Sequence, residues 1–170
     1  MDYAKELEKY APAHTDAQVA KEVAKIKMAA NRNGNSDVYK FCYSAIDLTT
    51  LSCNDSRESV QAFARKAVEF YEKFPAIPNV ASICVYPPFV ETVGLEGDGT
   101  PMRITSVAGA FPASQSFIEV KALEVAMAIE NGADEVDIVL NPGMMLSGHI
   151  DEAASEVVVL REEAKDVVLK

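Results

Sequence analysis

The stretch GADEVDIVLNPG, residues 132–143, sets three acidic side chains at the start of an apolar run. Gly132 suits the end of a helix, because glycine enters the left-handed backbone beyond a C-terminus at no steric cost. EVDIVL, residues 135–140, then reads as a strand. Glu135 is read as facing the surface, whereas Asp137 sits between Val136 and Ile138 in a run expected to be buried. Aspartate is almost never fully buried without a partner. A purely structural role would still require a buried cation or hydrogen-bond donor, which makes Asp137 a functional candidate.

Outward from this strand the chain repeats itself. Upstream, Ser116 and Glu119 are expected to cap a long helix that ends at Gly132. Downstream, residues 151–164 read as a helix, and VVLK, residues 167–170, as the start of a fifth strand. Further upstream, residues 38–48 (VYKFCYSAIDL), 80–86 (VASICVY) and 102–108 (MRITSVA) read as strands. A helix is expected from Asp55, with Asp55 and Glu58 as its capping pair and Val60, Phe63, Ala67 and Phe70 on one face. Pro87 and Pro88 begin a short segment after the second strand. Before all of these, Thr15 and Gln18 form a capping-box pattern ahead of Val19, Val23 and Ile26 at helical spacing, and NRNGNSD, residues 31–37, is a turn-rich linker. Strands alternating with helices imply parallel pairing through right-handed crossovers. Two architectures fit: a doubly wound open sheet, or the first half of a (β/α)8 TIM barrel.

The 170 residues are one domain's worth, with 49% hydrophobic and 25% charged residues, as in a soluble globular protein. They fall short of the roughly 250 of a complete barrel, and an ending inside an apolar strand reads as part of a longer protein. Nothing at the start resembles a signal peptide, and no apolar run could span a bilayer, so a cytoplasmic protein without membrane contacts is expected. A net charge of −10 argues against nucleic acid as a partner. Cys42, Cys53 and Cys84 form no CxxC pair and read as reduced thiols. His14 and His149 have no neighbours at zinc-ligand spacing, so no metal is expected. GLEGDG (94–99) and NPGMMLSG (141–148) match neither phosphate-binding glycine fingerprint.

Active sites in both architectures lie at the C-terminal edge of the strands. Asp47, Cys84, Tyr86 and Asp137 fall there, and Lys170 lies in the fifth strand. A carboxylate near a lysine has opposed influences on its proton affinity, since desolvation raises it and the ammonium lowers it. Plainer readings stand beside this. Asp47 can cap the turn into Thr49–Thr50, and Cys84 can be a small core residue with no histidine near it in sequence.

AIDLTTL (45–51), ASICVYPPFV (81–90), ITSVAGAFP (104–112), GADEVDIVLNPGMMLSG (132–148) and the terminal VVLK together resemble, in order and spacing, the deoxyribose-phosphate aldolase family. The resemblance runs from Tyr39 to Lys170. It divides the chain into an N-terminal helical extension with linker, 1–36, and the first half of an aldolase barrel, 37–170. It implies a class I aldolase that splits 2-deoxyribose 5-phosphate into glyceraldehyde 3-phosphate and acetaldehyde without a metal or other cofactor. In that family a lysine on the sixth strand forms the Schiff base and a second, on the seventh, lowers its pKa. Asp137 matches the proton-relay aspartate, Asp47 and Cys84 match pocket-lining positions, and Lys170 matches a fifth-strand lysine near the reacting centre. There are departures: the family's Phe-Pro-X-Gly turn reads FPAS here, with an extra residue before it, and Leu146 replaces a common lysine. The nucleophilic lysine and the glycine-rich phosphate site of the family have no counterpart up to Lys170, so an inactive fragment is expected. Alternatives are a non-catalytic half-barrel, and a flavodoxin-like module that binds a flavin or nucleotide. A half-barrel would leave its edges and an inward apolar face uncovered, with Ile83, Val85, Val136 and Ile138 supplying the alternation. That predicts a homo-oligomer in which strands meet across the interface.

Overall fold

Five short strands form one sheet in the order β1-β2-β3-β4-β5, every neighbouring pair parallel. The computed structural model describes residues 2–10 and 14–170; residues 1 and 11–13 of the expected N-terminal extension lie outside the described residues. The strands are β1 (Asp47–Thr49), β2 (Ser82–Val85), β3 (Arg103–Val107), β4 (Glu135–Asp137) and β5 (Val168–Leu169). The helices are α1 (Tyr3–Glu8), α2 (Asp16–Ala29), α3 (Ser36–Ser44), α4 (Arg57–Lys73), α5 (Val90–Gly97), α6 (Ile118–Glu130), α7 (Pro142–Leu146) and α8 (Ile150–Ala164).

Strictly sequential order decides between the two architectures. A doubly wound sheet reverses its order at a switch point, and this one does not, so the flavodoxin-like alternative fails. Because parallel strands are joined by right-handed crossovers, sequential order puts every connecting helix on one face of the sheet. The curvature is equally telling. In a flat sheet β1 and β5 would stand about 19 Å apart, four strand spacings, yet Lys170 Nζ lies 2.6 Å from Asp47 Oδ2. Only a sheet rolled into an arc brings these side chains together. The chain is thus part of a (β/α)8 barrel, its first five strands.

Period-two alternation assigns the two faces. Ile83, Val85 and Val136 point outward and are fully buried beneath the helices, against Val60 and Ala64 of α4, Val93 of α5 and Val125 of α6. Burying each such side chain contributes about 1.5–3 kcal/mol. Leu48, Ile104, Ile138 and Leu169 pack against the same core. The concave face carries Asp47, Ser82, Cys84, Thr105, Glu135, Asp137 and Lys170 instead. This corrects the expectation of an uncovered apolar inner face built on Ile83, Val85, Val136 and Ile138: that apolar alternation belongs to the helix-covered side. Apart from Val107 and Val168, which the register sets beside Asp137 and Glu135, the open face is polar and internally hydrogen-bonded.

Several local readings also change. Residues 38–48 are not one strand. Asn35 accepts a hydrogen bond from Val38 N and caps α3, which places Tyr43 against the core with its ring 5.4 Å from that of Phe70. Tertiary packing here overrides the strand preference of the Val, Tyr and Phe residues. Helix α4 is capped by the reciprocal pair Ser56 and Ser59, while Asp55 takes the Thr50 hydroxyl and Ser52 N in the preceding turn. Ser116 does not cap α6, because that helix starts two residues later with Phe117 at its N-cap; at the other end Gly132 does take a positive φ of 100°. Strand β4 ends at Asp137 rather than at residue 140, and Asn141 accepts from Met144 N as the chain turns into α7. The Thr15–Gln18 capping box of α2 is present, but none of its side chains is buried, so it does not fold over the open face. Among the described residues no helix is long and apolar enough to cross a membrane.

Candidate active site

The concave face gathers its charged groups around one ammonium. Lys170 Nζ lies 2.6 Å from Asp47 Oδ2, 2.9 Å from Glu135 Oε2 and 3.3 Å from Asp137 Oδ1. The register explains the grouping. Asp47 pairs with Ser82, Cys84 with Thr105, and Thr105 with Glu135. Lys170 stands beside Asp137, because Ile138 N donates to Lys170 O at 3.0 Å and Lys170 N to Val136 O at 2.9 Å. The lysine then reaches back across the concavity to β1.

Hydroxyls bind the cluster together. Ser82 donates to Asp47 Oδ1 at 2.7 Å. The Thr105 hydroxyl lies 2.7 Å from Ser82 Oγ and 3.2 Å from Glu135 Oε2, and it faces Lys170 Nζ at 3.4 Å. Ser82 and Thr105 are fully buried. Arg103, at the rim, donates to Glu135 Oε1 at 3.0 Å.

The carboxyl groups respond differently. Burial alone would raise Asp47, but hydrogen bonds from Lys170 and Ser82 hold it below its ordinary value. Glu135 behaves likewise: Lys170, Arg103 and Thr105 outweigh burial and lower it. Asp137 goes the other way. Burial dominates and raises it, the Lys170 charge opposes, and the charges of Asp47 and Glu135 add to the rise. Its Oδ1 is buried and, although within ion-pair distance of the ammonium, accepts no hydrogen bond in line. Lys170 is held above its ordinary value: desolvation works against the charge, and Asp47 and Glu135 overcome it. Burial, followed by the Asp137 charge, pushes the Cys84 thiol up to about 11, so it stays a thiol at neutral pH.

The structure therefore brings together Asp47, Asp137 and Lys170, with Cys84 beside them. The turn-cap reading of Asp47 gives way, since its carboxylate serves Ser82 and Lys170. The expectation that Glu135 faces the surface is overturned: its side chain is 12% exposed, against 25% for Asp137. The signal lay in the spacing, because residues two apart in a strand share a face. Ser82 and Thr105 were missed as well, since nothing in the sequence of a serine or threonine in a strand marks a cross-strand bond. Among the described residues Tyr86 makes no side-chain hydrogen bond to this cluster; its place in the fold is the N-cap of the short turn Pro87–Phe89. Among the described residues no three His, Cys, Asp or Glu side chains are grouped to hold a metal ion.

The linkage signs follow. Asp47 and Glu135 contribute stability above their ordinary values, 3.8 and 4.5, and lose it as pH falls through their lowered folded values. Lys170 contributes below its ordinary 10.5 and loses that contribution as pH rises through its raised folded value. Lys170→Met is thus expected to flatten the acid limb of stability below about pH 4. Melting temperatures of both chains between pH 2.5 and 7 check this; parallel profiles would dissociate Lys170 from the acid limb.

No protein-family model matches the chain. A deoxyribose-phosphate aldolase of Thermus thermophilus is 36% identical over 125 residues, covering 74% of this chain and 53% of that protein. A crystal structure from Coccidioides immitis, provisionally named as a deoxyribose-phosphate aldolase, superposes with a TM-score of 0.67 at 25% identity, over 76% of this chain and 48% of that one. A deoxyribose-phosphate aldolase structure from Aeropyrum pernix, described as tetrameric, shares the fold with a TM-score of 0.52 at 21% identity, over 76% of this chain and 63% of that one. The chain spans about half the length of the curated relatives it matches. By its sequence blocks, its strand order and these likenesses, the chain belongs to the deoxyribose-phosphate aldolase family, as a partial member.

Proposed function

We propose that the chain supplies the proton-handling half of a class I aldolase site. The reaction is reversible cleavage of 2-deoxy-D-ribose 5-phosphate into D-glyceraldehyde 3-phosphate and acetaldehyde. The observation that carries this reading is the contrast within one cluster: Lys170 is clamped as an ammonium, while Asp137 is desolvated and free of in-line hydrogen bonds. Opposed environments for neighbouring titratable groups mark acid–base roles.

A lysine from the part of the barrel that this chain does not span attacks the substrate aldehyde, and loss of water gives an iminium. Asp137 takes the proton of the C3 hydroxyl as the C2–C3 bond breaks and glyceraldehyde 3-phosphate leaves. The bond electrons move into an enamine, which is protonated at C2 and hydrolysed to acetaldehyde and free amine. Asp47 and Lys170 hold the pocket wall and its charge, and Cys84 fills space beside them. The phosphate is bound outside these residues. Self-association is part of the proposal, supported by the tetramer described for the Aeropyrum pernix relative.

A charged ammonium is no nucleophile. The 170-residue chain, treated with acetaldehyde and borohydride at neutral pH, is expected to show no mass increase from a reduced adduct on Lys170. Stoichiometric reduction onto Lys170 would overturn the assignment of the nucleophile elsewhere.

A further inference from the structure

Strand β4 presents two acidic side chains to the concave face, and one ammonium must serve both. An ammonium has three N–H donors. At Lys170 two of them are engaged, by Asp47 at 2.6 Å and the Thr105 hydroxyl at 3.4 Å, and Glu135 Oε2, at 2.9 Å, lies closer to the third than Asp137 does. Asp137 Oδ1, at 3.3 Å, is left without a hydrogen bond. Glu135 is itself fixed in place. Arg103 binds its Oε1 at 3.0 Å and Thr105 faces its Oε2 at 3.2 Å. With 12% of its side chain exposed, it is the least exposed of the three carboxylates.

Resting on the aldolase reading of this site, we propose that Glu135 is a positioning residue that holds the Lys170 ammonium away from Asp137, leaving the Asp137 carboxyl free to take up and release a proton. Without the Glu135 charge, the ammonium is free to tighten its 3.3 Å ion pair with Asp137 into a hydrogen bond in line. The tightened pair would favour the ionised form of Asp137. Asp137 would become a fixed carboxylate with little proton affinity near neutrality, and the relay would stop. The charged and titratable groups facing Asp137 are Asp47 from β1, Cys84 from β2, Arg103 of β3 through Glu135, Glu135 from its own strand and Lys170 from β5. Among these, Glu135 alone shares the strand of Asp137 and is anchored by a second cation.

The test is a carbon-detected NMR titration of the side-chain carboxyls in the 170-residue chain, with Glu135→Gln and Glu135→Asp beside it. In the unsubstituted chain Asp137 is expected to titrate above both Asp47 and Glu135. Glu135→Gln is expected to lower the proton affinity of Asp137 about tenfold, the lower end of the effect of a close opposite charge. Glu135→Asp keeps the charge and is expected to hold Asp137 within about threefold of its original affinity. Reversed order in the unsubstituted chain overturns the proposal. So does an unmoved Asp137 in folded Glu135→Gln, or an equal shift in Glu135→Asp. Should Glu135→Gln not fold, the order in the unsubstituted chain and the Glu135→Asp titration decide. None of these readouts needs a Schiff base, so failure of the aldolase reading would show separately, as missing turnover in a completed barrel.

Discussion

Asp137→Asn is expected to leave the chain at least as stable at pH 7, while removing about 10²–10⁴ of turnover from a complete aldolase that contains it. The two effects have one origin. Burial raises the proton affinity of Asp137 above the ordinary value of 3.8, and the neighbouring Asp47 and Glu135 charges reinforce this. In the window above 3.8 the folded chain therefore binds more protons at this site than the unfolded chain. Its contribution to stability falls as pH rises through that window, and by pH 7 the charge is a net cost. Asparagine keeps the shape and removes the charge, but it cannot exchange a proton with the substrate. Melting temperature at pH 7 and release of glyceraldehyde 3-phosphate measure the two halves. Near-normal turnover, or a loss of more than about 1 kcal/mol of stability, would make Asp137 a structural residue.

The largest stability effect is expected outside the cluster, at Glu156 on α8. Lys121 on α6 is fully buried, and its ammonium lies 2.8 Å from Glu156 Oε2 and 2.9 Å from Ser114 Oγ. Ser114 O in turn accepts from Asn141 Nδ2 at 3.1 Å, so this one lysine ties α6 and α8 to the loops after β3 and β4. Glu156→Ala strands the ammonium in the interior and is expected to cost about 3–5 kcal/mol. For a chain of this length that lowers the melting temperature by roughly 6–20 °C. Lys121→Met removes the buried charge instead and fills similar volume, so its cost is expected to be much smaller. Urea unfolding of both variants separates the readings. Equal losses would mean that Lys121 acts through packing alone.

The helix at 36–44 shows where sequence reasoning gave out. VYKFCYS carries the residue types of a strand, and the feature that decides otherwise is the Asn35 side chain on Val38 N, together with Tyr43 packing on Phe70. Propensity differences of a few tenths of a kcal/mol per residue yield to a cap and a buried aromatic contact. The same limit misplaced the caps of α4 and α6, whose N-cap residues, Ser56 and Phe117, each lie one position beyond the expected Asp55 and Ser116.

The sequence by itself determined the succession of strands and helices, the family through its blocks, and the demand of Asp137 for a cation. Those properties are local, or follow from residue types in order. Only the tertiary structure decided which face of each strand is covered, because alternation states that two faces differ without naming the inner one. It turned Glu135 inward beside Asp137, and it carried Lys170 across the concavity to Asp47. That last contact joins residues 123 positions apart. It exists because the sheet curls, and curvature is a property of five strands packed under helices rather than of any one stretch of chain.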